Sequence, residues 1–342
     1  MKAKKNIISL KPYQVIDQPY LLKLDANESN NYLDDISLSL QGVEYYPDHQ
    51  SKSLKQALSK YIGIDSSLMT IGNGSSELLD LLFKAYIEPG DVVLSFDPTF
   101  SMYEIYANIY GANYIKVPSN DDFTLNMDLM ISQLSLNPKM ILLCTPNNPT
   151  GFQIPRKDIL KLLNLTQALV VIDEAYIEFS DQNESMIKDI LIYNQIAVLR
   201  TFSKAYGLAG ARLGYMVSSK DITSIMNKVR SPYHVNALSQ KAGLMALSKR
   251  DLIFNNIDEI KRVREKTLKT LIDLGFKVYK SQGNFLWVKS PIKALGIRLN
   301  EKGILIRDFS KDQSEFYRIT IKQQNDMDIL ISSIEEIINE TK

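Results

Sequence analysis

The sequence predicts an α/β fold with a mostly parallel central sheet covered by helices on both faces, joined to a smaller α+β domain. Three observations carry this. Between about residues 68 and 217, short apolar runs alternate with helix-like segments, the pattern of parallel strands linked by crossover helices. After Tyr233 the pattern changes to one long amphipathic stretch (Leu252, Ile253, Ile257, Ile260, Val263, Leu268, Leu271) followed by short strands. At 342 residues and 45% hydrophobic content, the chain can bury the cores of two subdomains. Residues 1–35 read as an N-terminal arm that joins the small domain, 36–240 as the large domain and 241–342 as the small C-terminal domain.

Composition excludes several partner classes. The 40 basic and 39 acidic residues are well mixed and leave a net charge of +1, with no basic block for a nucleic acid. No apolar stretch approaches the ~20 residues of a membrane helix. The pair Ile7-Ile8 behind Lys2, Lys4 and Lys5 is too short for a signal peptide, so a cytoplasmic protein is expected. The single cysteine, Cys144, permits no intrachain disulfide and fits a reducing compartment. The only histidines, His49 and His234, lack ligand spacing with an acid, so no metal site is expected.

In chain order, the arm's informative piece is Leu24-Asp25-Ala26-Asn27-Glu28. Tyr45-Tyr46-Pro47-Asp48 marks a turn, in which Tyr46 reads as a surface aromatic, before a helix through Leu54, Ala57, Leu58 and Tyr61. The strand 69–71 runs into Gly72-Asn73-Gly74-Ser75-Ser76-Glu77 and a second helix. Such a glycine-containing turn offers free N–H groups and a positive helix end to a phosphate, although Ser75 or Ser76 serves equally as a plain N-cap. The dinucleotide fingerprint fails, because Glu77 stands at its third glycine position. The strand 92–96 precedes Asp97-Pro98-Thr99, a helix start with Asp97 or Thr99 as cap, and then Phe100, Tyr103 and Tyr106 at core spacing.

A strand at 114–117 and a helix near 125–134 lead to the buried strand 140–144. It closes in Thr145-Pro146-Asn147-Asn148-Pro149-Thr150-Gly151, whose composition alone makes a turn. The strand 169–172 ends in Asp173-Glu174-Ala175-Tyr176, and ligands of α/β proteins collect at such strand ends. The long helix stops at Gly275, in the left-handed position that closes helices. Short strands come next, around 276–279, 285–288, 304–306 and 317–321.

The chemistry concentrates in Arg200-Thr201-Phe202-Ser203-Lys204-Ala205-Tyr206-Gly207-Leu208-Ala209-Gly210-Ala211-Arg212-Leu213-Gly214-Tyr215. A lone lysine at a strand end reads equally as a solvated charge. Lys204, however, lies among hydroxyls, glycines and Arg212, company that suits a lysine joined to the carbonyl of a phosphate-bearing cofactor. The segment resembles the cofactor-lysine segment of fold-type I pyridoxal-phosphate-dependent aminotransferases. Within them it looks most like the histidinol-phosphate aminotransferases, with further motifs in family order from Leu24 to Thr320.

The resemblance implies a pyridoxal 5'-phosphate site. Lys204 would bind the aldehyde and shuttle a proton, Asp173 would keep the ring nitrogen protonated, and Tyr176 and Asn148 would bond the ring oxygen. Tyr103 would stack on the ring. Gly74, Ser75, Ser76, Ser203 and Arg212 would hold the phosphate, joined by Tyr46 reaching across a homodimer interface into the partner's site. On the substrate side, Asn27 would open the entrance, Arg318 would grip a carboxylate and Arg307 would stand near the far end, although either arginine reads also as a surface charge. The family's Gly/Pro-rich turn after Asn27-Glu28 is replaced here by Ser29-Asn30-Asn31-Tyr32. The implied reaction joins glutamate and a phosphorylated keto substrate, imidazole-acetol phosphate. An aromatic amino acid aminotransferase, a threonine-phosphate decarboxylase and a non-catalytic cofactor-binding regulator remain alternatives.

Overall fold

The computed structural model describes residues 3–10, 18–30, 32–33, 37–182, 184–310 and 314–341. Its strands are β1 (Leu22–Leu24), β2 (Met69–Gly72), β3 (Val92–Asp97), β4 (Asn113–Pro118), β5 (Met140–Cys144), β6 (Leu169–Asp173), β7 (Ile196–Thr201), β8 (Gly214–Ser218), β9 (Lys277–Tyr279), β10 (Phe285–Lys289), β11 (Ile304–Asp308) and β12 (Phe316–Thr320).

The apolar runs of the first part assemble into a seven-stranded sheet in the order β2-β8-β7-β6-β5-β3-β4. Five neighbouring strands from β7 to β4 run parallel, and β8 alone is reversed between β7 and β2. Side chains alternate between two cores, as a sheet covered on both faces requires. On β5, Met140, Leu142 and Cys144 enter one core while Ile141 and Leu143 enter the other. The expected fold class is therefore the observed one.

The later strands form a five-stranded sheet ordered β1-β11-β12-β10-β9. Its edge strand β1 comes from the N-terminal segment and pairs parallel to β11, while the other neighbours pair antiparallel. The helix Arg250–Asp273 packs beside this sheet through Ile253, Ile257, Ile260 and Val263, and Gly275 comes after it at φ +87°. Residues 240 and 241, where the sequence places a domain boundary, lie inside the helix Ala237–Ser248. That helix packs against Lys52–Ile62, with Gly243 against Leu54.

Two local expectations change. The helix after β3 starts at Met102, not at Pro98, and neither Asp97 nor Thr99 caps it. Thr99 instead donates its hydroxyl to Asn147 Oδ1 at 2.8 Å. The helix Gly74–Tyr86 begins after Asn73, so Ser75 and Ser76 lie inside its first turn rather than at the cap. Of the substituted turn 29–32, Asn31 lies outside the described residues, and Tyr32 is buried in the larger core.

Candidate active site

The carboxyl ends of β5, β6 and β7 meet one face of the five-stranded sheet around a cavity of about 250 Å³. The large sheet contributes Cys144, Asn148, Asp173, Ala175, Tyr176, Thr201, Ser203 and Lys204, and the helix after β2 contributes Ser75 and Ser76. From the small sheet come Lys23, Asp25, Arg307 and Arg318.

Lys204 lies just past β7 and donates its Nζ to the Ala26 carbonyl at 2.7 Å. Burial, followed by the nearby Arg318 and Arg212 charges, pulls its ammonium down to about 7, with Glu28 opposing. With a value of about 7, roughly half of the amine is neutral near pH 7, and that form is a nucleophile and a proton carrier. Asp173 closes the cavity below it, 5% exposed, with Oδ2 accepting from the Tyr103 hydroxyl at 3.0 Å and Oδ1 from the Ala175 N–H at 3.2 Å. Burial pushes this carboxyl up to about 6, because those two donors only partly offset the lost solvation. A cationic N–H placed against it would hold it ionised.

A hydrogen-bonded chain crosses the cavity wall. Arg318 donates through Nη1 to Asn148 Oδ1 at 2.6 Å and through Nη2 to the Asp25 carbonyl. Asn148 Nδ2 reaches the Tyr176 hydroxyl at 3.4 Å, and Asn27 Nδ2 reaches the same oxygen at 3.2 Å. Arg307 is the register partner of Arg318 across β11 and β12, so both side chains share one sheet face.

A corner that suits an anion is built by close approach. Gly74 has φ +75°, and a Cβ there would lie 2.8 Å from Arg212 Nη2. A Cβ on Gly214 would lie 2.5 Å from the Gly74 backbone, so glycine at both positions lets Arg212 meet the start of the helix. Arg212 Nη1 also donates to Ser203 Oγ at 3.4 Å and to the Ala209 carbonyl at 3.1 Å.

Of the residues singled out in the sequence, Tyr103 and Asn27 take other positions, and Tyr46, expected to reach a partner's site, lies outside this chain's cavity. Tyr103, expected to stack on the cofactor ring, is 1% exposed and points its hydroxyl at Asp173 from beneath. Because the helix begins only at Met102, Phe100 in the preceding loop lines the cavity instead. Asn27 is fully buried with φ +53°, its backbone N–H donating to Thr320 Oγ1 at 3.0 Å. It holds Tyr176 from behind rather than lining the entrance. Tyr46 is 81% exposed, stacks on Tyr233 with ring centroids 4.5 Å apart and stands outside this chain's cavity.

Sequence reasoning missed Lys23, Asp25, Phe100, Cys144 and Thr201. The polar–apolar–polar order Lys23-Leu24-Asp25 was a usable signal, since it places the two charges on one face of a strand. Burial and the Asp173 charge push the Cys144 thiol well up, so it is an inert neighbour. Among the described residues, no group of three His, Cys, Asp or Glu side chains could hold a metal ion, and no helix is long and apolar enough to cross a membrane.

Comparison with known proteins places the chain in a family and a fold. The family model for aminotransferase class I and II matches residues 23–334. The chain is similar to a histidinol-phosphate aminotransferase of Caldanaerobacter subterraneus subsp. tengcongensis, 37% identical over 98% of each chain. A protein of the same name from Ruminiclostridium cellulolyticum is 39% identical over 96% of each. Among solved structures, the histidinol-phosphate aminotransferase from Sinorhizobium meliloti in complex with pyridoxal-5'-phosphate superposes with a TM-score of 0.91 at 24% identity, covering 100% of this chain and 98% of that one.

Proposed function

The chain belongs to the class I and II aminotransferases, and from that premise we propose that it is a pyridoxal-phosphate-dependent histidinol-phosphate aminotransferase, active as a cytoplasmic homodimer. The observation that carries this reading is the Lys204 amine, held between the Arg212 corner and the Arg318–Asn148–Tyr176 chain with Asp173 below.

The residues fit the cofactor. The glycine-built corner at Gly74 suits a phosphate, with Ser75, Ser76, Ser203 and Arg212 as donors beside the helix start. The hydrogen bonds on the buried Asp173 carboxylate come from two neutral donors, Tyr103 and the Ala175 N–H, so among the described residues no ion pair fills the place that a protonated ring nitrogen would take. When bound, pyridoxal phosphate supplies an aldehyde and an electron-withdrawing ring. Asp173 would hold the proton on the ring nitrogen, Tyr176 and Asn148 would bond the ring oxygen, and Phe100 would cover the ring face. Lys204 Nζ takes the proton from the substrate carbon that carries the amine.

Substrate chemistry agrees with the second wall. Histidinol phosphate has an amine and a phosphate monoester but no carboxylate, whereas glutamate has a carboxylate beside its amine. Both present an anion near the reacting carbon, and Arg318 with Arg307 receives it. Exposed Tyr46 suits the partner's cofactor phosphate. Mixing Tyr46→Phe with Lys204→Ala protein is then expected to create some competent sites by subunit exchange. Full activity of a monomer in sedimentation at assay concentration would exclude the shared site.

The assay is glutamate formation from histidinol phosphate and 2-oxoglutarate, beside phenylalanine, tyrosine and threonine phosphate. A preference for the aromatic amino acids, or carbon dioxide release from threonine phosphate, would overturn the substrate reading.

A further inference from the structure

Resting on the phosphorylated substrate named above, we propose that Lys23 is a specificity-determining residue, a third cation that leaves Glu28 to engage the substrate phosphate. In the parallel pair of β1 and β11, Lys23 lies opposite Leu305. Arg307 is two residues further along the same face, and it lies opposite Arg318 on β12. One sheet face therefore presents Lys23, Arg307 and Arg318 to one cavity, which all three line.

The Lys23 ammonium is 2.6 Å from Glu28 Oε2 and 3.1 Å from Asp25 Oδ1. Glu28 is 39% exposed, so this is a partly solvated pair of the kind that contributes little to stability. Asp25 is buried beside the cavity and would repel an entering anion without the Lys23 charge. A phosphate monoester carries close to two negative charges near neutral pH and three acceptor oxygens. An arginine fork satisfies the two oxygens of a carboxylate, whereas a phosphate has a further oxygen and a further charge for a flexible ammonium. Exchange of Glu28 for the substrate thus favours the dianion over a monoanionic amino acid.

The test monitors cofactor absorbance in the half-reaction with histidinol phosphate and with alanine. Lys23→Met is expected to lower the ratio of kcat/KM values, phosphate substrate over alanine, by about tenfold or more, mainly through KM. Lys23→Arg should restore most of that ratio. Glu28→Gln, at a partly exposed position, should lower KM for histidinol phosphate several-fold by releasing the ammonium. Direct titration of Lys204→Ala protein with histidinol phosphate should show the same order of affinities. An unchanged ratio in Lys23→Met, or an unchanged or raised KM in Glu28→Gln, overturns the exchange. Failure of the wild-type protein to process histidinol phosphate would instead remove the substrate reading itself.

Discussion

The two walls of the cavity are built on different principles. The large sheet offers the residues just beyond its strand ends: Asp173 closes β6, Lys204 lies past β7, and Asn148 sits in the turn after β5. Each is fixed by backbone that the sheet itself holds still. The small sheet offers instead the flat of its strands, with Lys23, Arg307 and Arg318 side by side. Strand ends converge on a point, so they suit a reacting atom. A strand face repeats a charge every second residue and suits an extended anion. On the proposed reading, this division puts chemistry on one wall and selection on the other.

The comparison breaks first at Lys204. Lys204→Ala should cost more than ~10⁴-fold in transamination, because the loss of a positioned acid–base group alone is worth about 10²–10⁴-fold and the covalent handle goes with it. Borohydride reduction of the wild-type holoenzyme followed by peptide mapping should label Lys204. A label on another lysine would remove the assignment. Asp173→Asn keeps size and removes charge, so kcat should fall by roughly 10²–10³-fold while the protein stays folded, a cost of the order seen for losing one electrostatic stabiliser. Near-normal kcat in that variant would show that the carboxylate has no electronic role.

On the other wall the effect should move to selection. Arg318→Lys keeps the charge but loses the fork that reaches Asn148 and Asp25 together. Losing one charge-assisted hydrogen bond of ~1.5–3 kcal/mol should lower kcat/KM about tenfold to a hundredfold. A purely kcat effect with unchanged KM would blur the division between the walls. The smallest effect tests the cofactor wall without mutation. Only the neutral Lys204 amine is a nucleophile, and its folded value near 7 lies far below the usual 10.5. The rate at which cofactor-free protein captures the aldehyde should therefore rise with pH through about 7, roughly tenfold between pH 6 and 8. A midpoint near 10 by stopped-flow absorbance would show that the amine is not desolvated.

Much of the first wall was legible in the sequence, because parallel strands buried on both faces announce themselves as unbroken apolar runs such as Met140–Cys144 and Ile196–Leu199. The polar residues at the carboxyl end of each run are then candidates for the site. The second wall was less legible. The pairing of Leu22–Leu24 with Ile304–Ile306 joins distant parts of the chain, and no local period encodes a partner so remote. The exchange of Tyr103 for Phe100 on the cavity wall has a narrower cause. Aromatic spacing identifies a helix face, but the face turned to the cavity depends on where the helix starts, and that is Met102 rather than Pro98. Asn27 escaped for a similar reason, since its left-handed backbone turns the amide behind Tyr176.

The parallel seam between β1 and β11 also sets a clock on synthesis. Leu22–Leu24 leaves the ribosome roughly 280 residues ahead of its strand partner among the described residues, a wait of about 15 to 60 s at the usual ~5–20 residues per second. Within that interval, once β8 has emerged, the seven-stranded sheet can close, whereas the cavity's second wall still has no edge on which to assemble. A nascent chain stalled after β8 would thus hold Lys204 and Asp173 on a finished floor while the Lys23 strand still waited for its neighbour.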